Sequence, residues 1–448
     1  MSTHLPRLTV SKRNPHLLET EHGSPYFMLG DTAWELLFRL TKPEVSEYFQ
    51  TRQKQNFNMI WICFLPECDC VRTRNRQGML PLEYEDPLKL SPEYVTWAKW
   101  VIEEAANHQL HVGFLPIWGD KLTAPWGAGP VLFNDTAMIH QFGELIGKHF
   151  GGYTNLLWVL GGDRPPMIEP HSWMEEYSKS LHVNPASDWR PLWSALAAGI
   201  KQGSSLDLLT TYHPQGGNET TSHYLHHEPW LDMNCMQSGH GGGRDVHVWE
   251  NVSRDYALIP PKPTFDGEPN YEDHPVSPWP TWDTKNGYFD EYDVRRQIWR
   301  SVFAGACGVI YGHHSIWNFA GDHHRWINYA KMDWREALER PGARHARHLR
   351  ELIERSPFFD LVPDQSILVE NGESGDHKRV LRDSKGSLVM VYCPRGGTVR
   401  LRSESTKGKS VNWFNPRTGK RQDGKSEVDG SSTTFITPDD IDWVLILG

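Results

Sequence analysis

Short apolar runs alternate with helical patterns along most of the chain, from about residue 26 to about residue 320. Eight of these runs are predicted to be strands, at 27–34, 59–66, 111–120, 155–163, 206–214, 231–240, 262–269 and 308–318. They are continuously apolar rather than alternating, which is typical of parallel strands that are buried on both faces. Eight strands with helices between them predict an α/β fold of the (β/α)8 type, a TIM barrel. The alternative is an open doubly wound sheet, but the first run, FMLGDTAW, lacks the glycine-rich phosphate motif of such sheets.

The pattern changes after a helical segment at 333–355. From about residue 358 onward, short apolar runs are separated by turns such as NGESGD and VDGSS, which predicts strands of an all-β domain. We therefore expect three parts, namely a strand or hairpin extension at 1–26, the barrel at 27–355 and a small β-sandwich at 356–448.

The chain is acidic, with a formal net charge of −10 and an isoelectric point of about 6.1. Such a charge argues against nucleic acid or an anionic membrane as the main partner. No apolar stretch reaches the roughly 18 residues that a transmembrane helix needs. The N-terminal residues lack the apolar segment of a secretory signal, so we expect a cytoplasmic protein, or a secreted or periplasmic one if a leader has been removed. The oligomeric state stays open.

Aromatic residues are abundant, with 20 Trp, 15 Tyr and 17 Phe. Sugar rings have flat apolar C–H faces that stack on indole rings, so this composition fits a protein that handles carbohydrate. The alternative is that the tryptophans fill a large core, and composition alone does not separate the two. In the sandwich, Trp413 and Trp443 present the same choice between a sugar platform and an ordinary strand position.

The six cysteines match neither a four-ligand zinc pattern nor a small disulfide framework. Cys63, Cys235 and Cys307 lie inside apolar runs and are predicted to be buried free thiols. Cys68 and Cys70 are too close in sequence to form an ordinary disulfide.

Most of the predicted barrel strands end in polar or aromatic residues: Asp31 and Trp34, Asp120, Asp163, His213, His240, Glu268, and His313 with His314. The carboxyl ends of the strands form the active-site face of a barrel. One polar ending would indicate only a loop, whereas polar endings on most strands indicate a site.

Two of these residues carry the chemistry that we predict. Asp163 ends the fourth strand in WVLGGDRPP, and Glu268 ends the seventh in PTFDGEPNYE, so their side chains can converge across the barrel mouth. A glycosidic bond is cleaved by one carboxylic acid that protonates the leaving oxygen and one carboxylate that attacks carbon or activates water. Taken singly, Asp163 could instead pair with Arg164 or cap the next segment, and Glu268 could hold a turn. Together they favour a glycoside hydrolase.

The sequence resembles the apiosidase-like glycoside hydrolases, a family formerly described as a domain of unknown function. The segments that carry the resemblance are LGDTAWELLFRLT, NFNMIWICFLP, WVLGGDRPP, FDGEPNYE and GVIYGHHSIWNF. The resemblance extends into the sandwich, which is similar to the small domain named for collagen binding in that family. It implies a retaining mechanism with Asp163 as acid/base and Glu268 as nucleophile. It also implies a substrate related to the apiose-containing side chains of pectin.

Other residues near the barrel mouth are predicted to contact an oligosaccharide or polysaccharide substrate: Asp31, Trp34, Trp118, Arg164, Tyr212, His213, Gln237, His240, His313, His314 and Trp317. Of these, Gln237 could orient the nucleophile. For any single histidine, a structural hydrogen bond is the commoner role, but as a group around one mouth they favour a subsite.

Two further hypotheses stay open, a carbohydrate-binding barrel without catalysis and a metal-dependent hydrolase that uses clustered histidines. We expect no catalytic metal, because adjacent histidines on a strand point to opposite faces and no HExxH motif occurs. A structural ion in a loop stays open, and no cofactor is expected. A serine esterase is disfavoured by the lack of a G-x-S-x-G motif. The loop at 67–78 carries Arg72, Arg74 and Arg76. We favour the interpretation that this is a solvent-exposed loop without a binding role. The alternative is that its arginines form a positively charged rim that binds an acidic sugar.

Overall fold

The computed structural model describes residues 4–67, 69–123, 129–180, 188–217, 220–276, 283–323 and 326–448. Its strands are β1 Leu8–Val10, β2 Leu18–Thr20, β3 Pro25–Tyr26, β4 Met28–Thr32, β5 Met59–Cys63, β6 His111–Leu115, β7 Leu156–Gly161, β8 Thr210–His213, β9 Asn234–Met236, β10 Thr264–Asp266, β11 Gly308–Tyr311, β12 Leu361–Pro363, β13 Arg379–Asp383, β14 Val389–Cys393, β15 Thr398–Arg402, β16 Val411–Phe414, β17 Arg421–Asp423, β18 Glu427–Asp429, β19 Ser432–Ile436 and β20 Trp443–Leu447. Its α-helices are α1 Leu36–Arg39, α2 Lys42–Lys54, α3 Pro92–Asn107, α4 Thr136–Phe150, α5 Trp173–Ser180, α6 Arg190–Gly203, α7 Thr221–Leu225, α8 Val248–Tyr256, α9 Glu291–Phe303, α10 Trp334–Ala337 and α11 Pro341–Glu354.

The central sheet is a parallel barrel. Its eight strands follow the order β8-β7-β6-β5-β4-β11-β10-β9. A parallel bridge between Thr211 of β8 and Met233, next to β9, joins the two edges of the sheet. This arrangement confirms the predicted TIM barrel. All eight predicted apolar runs contain a strand, and each strand is shorter than its run. Asp31 and His213 lie inside the strands β4 and β8, whereas Asp120, Asp163, His240, Glu268, His313 and His314 lie in the segments that follow their strands.

The main helices begin where the sequence supplies caps. Thr41 forms a capping box with Glu44 at the start of α2, and Pro43 lies in its first turn. At the start of α9, the Asp290 carboxylate accepts hydrogen bonds from the backbone N–H groups of Tyr292 and Asp293. No helix in the described part of the chain is long and apolar enough to cross a membrane.

The side chains of the barrel strands separate into an interior layer and an outer layer. The interior cluster contains Met28, Met59, Trp61, Leu157, Val159, Met233, Cys235, Phe265, Cys307 and Ile310. The first three strands, β1 to β3, form a small antiparallel sheet, and their residues Leu8, Leu18 and Tyr26 belong to that same cluster. The N-terminal extension therefore closes the end of the barrel that lies opposite the polar strand endings.

The C-terminal strands form two antiparallel sheets, one of six strands and one of three. Their facing sides enclose an apolar core, which confirms the predicted sandwich. Trp413 and Trp443 lie in that core, with 2% and 4% of their surfaces exposed, so neither is a surface platform for a sugar. The sandwich is fixed to the barrel by a buried, two-pronged ion pair between Arg295 of α9 and Asp442, with both N–O distances at 2.7 Å.

Candidate active site

The barrel brings Asp163 and Glu268 together, although they are far apart in sequence. Asp163 follows β7 and Glu268 follows β10, on opposite sides of the mouth. With His213, which ends β8, they form a group whose nearest side-chain oxygen and nitrogen atoms all lie within 4.8 Å of one another. Glu268 and His213 are buried, and Asp163 is partly exposed. Two carboxyl groups and one imidazole therefore converge at one point of the mouth.

The chain leaves β7 through three consecutive residues with positive φ angles. Gly161, Gly162 and Asp163 all have positive φ angles, of 88°, 107° and 53°. A Cβ atom at Gly161 would lie 2.2 Å from the carbonyl oxygen of His213, so a larger residue does not fit there. Aspartate is one of the few residues other than glycine that tolerate the left-handed region, and such outliers concentrate at functional sites.

Three side chains hold the carboxylate of Glu268. Its Oε1 accepts a hydrogen bond from Nε2 of Gln237 at 3.0 Å and lies 3.0 Å from Nε2 of His240. Its Oε2 lies 3.1 Å from Nε2 of His213. Each contact places a nitrogen that can carry a proton against the carboxylate, so the ionised form is stabilised.

The two carboxyl groups have opposite pKa shifts. Burial alone would raise the pKa of Glu268, but the contacts from His213 and His240 outweigh it and lower this pKa to about 2. Burial and the nearby charge of Glu268 raise the pKa of Asp163 above its ordinary value. One group is thus held as a carboxylate while the other is biased toward the protonated acid, which is the division of roles that general acid catalysis needs.

The tautomer of His213 follows from its second nitrogen. Its Nδ1 accepts a hydrogen bond from the backbone N–H of Asp163 at 3.4 Å. The proton of the neutral ring therefore sits on Nε2 and faces Glu268.

Among the described residues, Asp163, His213 and Glu268 are also the one group of acidic and histidine side chains that converges closely enough for a metal ion. A metal ion at this point would need an unprotonated Nε2 on His213, but in this tautomer Nε2 carries the proton.

A row of buried imidazoles begins beside Glu268. His240 stacks on His274 with ring centres 4.3 Å apart, and His274 meets His314 edge-on at 4.4 Å. His314 continues the row, because its Nε2 lies 2.8 Å from the carbonyl oxygen of Asn328. Burial lowers the pKa of His314 to about 3, so this ring is neutral at physiological pH.

Two predicted tryptophans line the wall beside His213. The ring centres of Trp34 and Trp118 lie 5.2 Å and 6.0 Å from that of His213, and the two indoles are 5.0 Å apart. The indole nitrogen of Trp34 donates to the hydroxyl of Tyr271 at 3.0 Å. Trp317 packs against the same interior cluster. The structure thus places Trp34 and Trp118 beside His213, and Trp317 against the interior layer of the barrel.

Several other predicted contacts are directed elsewhere. Asp31 faces the outer layer, where its Oδ2 accepts hydrogen bonds from Tyr48 at 2.5 Å and from Arg52 at 2.6 Å. Tyr212 also belongs to the outer layer, and its hydroxyl donates to the backbone carbonyl of Arg164. Because side chains alternate between the two faces of a strand, a polar residue near a strand end can face the surrounding helices rather than the mouth.

The remaining predicted residues support the loops of the mouth. Arg164 is buried and donates to the backbone carbonyls of Asp163 and Thr123. The Nε2 atom of His313 lies 3.1 Å from Asp273, so His313 and its neighbour His314 have separate partners. These contacts fix the backbone around the site.

Sequence reasoning did not single out three residues of this region. Tyr271 and His274 follow Glu268 closely in sequence and contact Trp34 and His240 respectively. Glu67 follows the second barrel strand, and burial together with the charge of Asp163 raises its pKa well above the ordinary value. The available signal was only that each residue lies in the loop that follows a barrel strand, four to eight positions after the strand ends.

The arginines of the 67–78 loop are engaged locally. Arg72 forms an ion pair with Glu85 at 3.0 Å, Arg74 donates to the carbonyl oxygen of Gly78, and Arg76 lies 3.6 Å from Glu44.

Cys68 lies outside the described residues. Cys63, Cys70, Cys235 and Cys307 are buried free thiols, as predicted for three of them.

Comparison with known proteins agrees with this geometry. Residues 12–360 match the model of a family described as "Apiosidase-like, catalytic domain", and residues 362–448 match "Putative collagen-binding domain of a collagenase". None of the curated proteins compared with the chain matches it.

Two solved structures resemble the chain over nearly its whole length. One is described as a glycoside hydrolase, with 28% identity, a TM-score of 0.82 and coverage of 99% of this chain and 96% of that one. The other is a glycoside hydrolase family 5 structure from Bacteroides vulgatus, with 27% identity, a TM-score of 0.84 and coverage of 98% and 93%. The family match covers well over half of the chain, and the chain therefore belongs to the apiosidase-like glycoside hydrolases.

Proposed function

We propose that the enzyme cleaves a glycosidic bond with retention of configuration, with Glu268 as the nucleophile and Asp163 as the acid/base. The substrate that we propose is an oligosaccharide or polysaccharide that carries apiose or a related furanose, such as a pectic side chain. The observation that carries this proposal is the close approach of the two carboxyl groups, within 4.8 Å between nearest atoms. Retaining enzymes hold their carboxyl groups roughly 5–5.5 Å apart, whereas inverting enzymes need roughly 6.5–9.5 Å to admit a water.

In this mechanism, the ionised Glu268 attacks the anomeric carbon while Asp163 gives its proton to the leaving oxygen. The glycosyl–Glu268 bond forms as the glycosidic bond breaks. Asp163, now ionised, then takes a proton from water, which attacks the same carbon and releases Glu268. The low pKa of Glu268 and the raised pKa of Asp163 match the starting state of this cycle.

The metal-dependent hydrolase is the second candidate, because Asp163, His213 and Glu268 converge. The tautomer of His213 works against it, since the backbone N–H of Asp163 occupies Nδ1 and leaves the proton on Nε2. We therefore expect EDTA to leave activity unchanged. Loss of activity in EDTA and recovery on addition of a divalent ion would favour the metal hypothesis.

A panel of 4-nitrophenyl glycosides that includes apiofuranosides, together with pectic polysaccharides, tests the proposed activity. We expect at least one furanoside to be cleaved by the wild-type enzyme and not by Glu268→Gln. Cleavage of none of the panel would contradict the proposed substrate class. Equal cleavage by the variant would contradict the role of Glu268.

A further inference from the structure

Three basic side chains and one hydroxyl lie where the barrel meets the sandwich, on segments that do not carry the catalytic pair. The group consists of Ser253 on α8, Arg300 on α9, Arg379 at the start of β13 and His377 just before that strand, and is called the basic seam below. Arg300 is fully buried, and its Nη2 donates to the carbonyl oxygens of Ser374 and Gly375 at 2.8 Å and 2.7 Å.

Arg379 is a buried cation without a counter-ion. Only 7% of its surface is exposed, and no carboxylate in the described ranges forms an ion pair with it. Its Nη2 donates to Ser253 Oγ at 3.3 Å, but its Nε is buried without a hydrogen-bond partner among the described residues. Buried charges in proteins are normally paired, and burial lowers the pKa of Arg379 to about 10.

Two further nitrogen atoms of the seam lack partners within the described part of the chain, Nε of Arg300 and Nε2 of His377. The Nδ1 atom of His377 lies 3.1 Å from the carbonyl oxygen of Gly372, so the neutral ring carries its proton there. Burial and the charges of Arg379, Arg300 and His247 lower the pKa of His377 to about 4. A carboxylate oxygen of Asp245 lies 2.8 Å from Nη1 of Arg300. This carboxylate therefore pairs with Arg300 and does not compensate the charge of Arg379.

We propose that the basic seam binds a small tetrahedral oxyanion of the phosphate or sulfate class. An oxyanion would accept hydrogen bonds from Nε of Arg379 and from the Ser253 hydroxyl, whose proton is not used in its contact with Arg379. His377 would take up a proton and become a further donor. The site is separate from the catalytic pair, so the proposal does not depend on which glycosidic bond the enzyme cleaves.

Titration of the full-length enzyme with inorganic phosphate and, separately, with sulfate tests this proposal. Chloride at equal ionic strength serves as the reference. By calorimetry we expect one saturable phosphate site per chain in the wild type, and at least a roughly tenfold loss of affinity in Arg379→Met, since hydrogen bonds to charged groups are the stronger ones. The matched control is Arg421→Met, which removes an exposed arginine of the same domain and should bind phosphate as the wild type does.

Thermal unfolding separates a binding role from a purely structural one. In chloride, Arg379→Met should unfold at the same temperature as the wild type or higher, because it removes an unpaired buried charge. In phosphate, the wild type should gain stability and the variant should not. Ser253→Ala, a milder change, should also weaken phosphate binding.

Three results would overturn the proposal. The first is a wild type that binds neither anion. The second is an Arg379→Met variant that binds phosphate as tightly as the wild type. The third is an Arg379→Met variant that is destabilised equally in chloride and phosphate, which would make Arg379 a structural residue only.

Discussion

Asp163 and Glu268 lie at the same mouth and share His213 as a neighbour, yet the rest of their surroundings differs. Glu268 has nitrogen atoms of Gln237, His240 and His213 within 3.1 Å of its carboxylate, and its pKa falls to about 2. Asp163 has a left-handed backbone, an Oδ1 atom without a hydrogen-bond partner among the described residues, and a raised pKa. The difference shows how one barrel gives two similar carboxyl groups different protonation states, through the donors that each receives and the charge that each feels.

The largest effect that we expect is from Glu268→Gln. The amide cannot form the covalent bond to the anomeric carbon, so turnover should fall by more than the roughly 100- to 10,000-fold expected for loss of a general acid or base. The measurement is kcat on the furanoside that the wild type cleaves, with circular dichroism to show that the fold is retained. Near-wild-type turnover would rule out Glu268 as the nucleophile.

Asp163→Asn should be less severe and should depend on the leaving group. We expect a loss of roughly 100- to 10,000-fold for alkyl or sugar leaving groups, which need protonation. The loss should be much smaller for 2,4-dinitrophenol, a leaving group stable as an anion, if kcat/KM is compared. A loss that is equal for both kinds of substrate would contradict the acid role.

His240→Phe should move the acid limb of the pH profile. The contact from His240 lowers the pKa of Glu268, so its loss raises that pKa, and the active carboxylate is then protonated at a higher pH. The phenyl ring can still stack on His274. The measurement is kcat/KM against pH, and we expect the limb at low pH to shift upward.

The control for this prediction is His227→Phe, at an exposed histidine, which should leave the profile unchanged. An unmoved acid limb in His240→Phe would mean that His240 does not set the charge state of Glu268.

The smallest expected effect on catalysis is from Asp31→Asn, because Asp31 faces the outer layer. Turnover per folded molecule should be unchanged. The free energy of unfolding should fall by about 3–5 kcal/mol, the usual cost of removing one partner of a buried ion pair, here the pair with Arg52. Urea unfolding followed by tryptophan fluorescence measures this loss. A large drop in kcat with unchanged stability would indicate instead that Asp31 belongs to the active site.

The barrel could be predicted from the sequence because strands buried on both faces leave long apolar runs, and eight of them are distinct in this chain. The positions of Asp163 and Glu268 could be predicted for a related reason, since both follow strands whose carboxyl ends meet at one mouth. The sandwich was evident from its turns. The burial of Trp413 and Trp443 was not, because a core tryptophan and a surface tryptophan look alike in sequence.

The direction of individual side chains could not be predicted. Asp31 and Tyr212 were expected at the mouth, but strand alternation turns them toward the helices. Tyr271 and His274 could not be identified because their contacts depend on how the loop after Glu268 folds back on neighbouring strands. The tautomer of His213 depends on a hydrogen bond that its Nδ1 accepts from the backbone N–H of Asp163, and this bond has no signature in the sequence.

The most direct test of the retaining mechanism is to trap its intermediate. The wild-type enzyme would be treated with the activated 2-deoxy-2-fluoro analogue of the glycoside that it cleaves, and the labelled peptide would be located by mass spectrometry. We predict one glycosyl group per chain, attached to Glu268, and no label on Glu268→Gln. A label on another residue, or an inverted product anomer by proton NMR with no label at all, would contradict this mechanism.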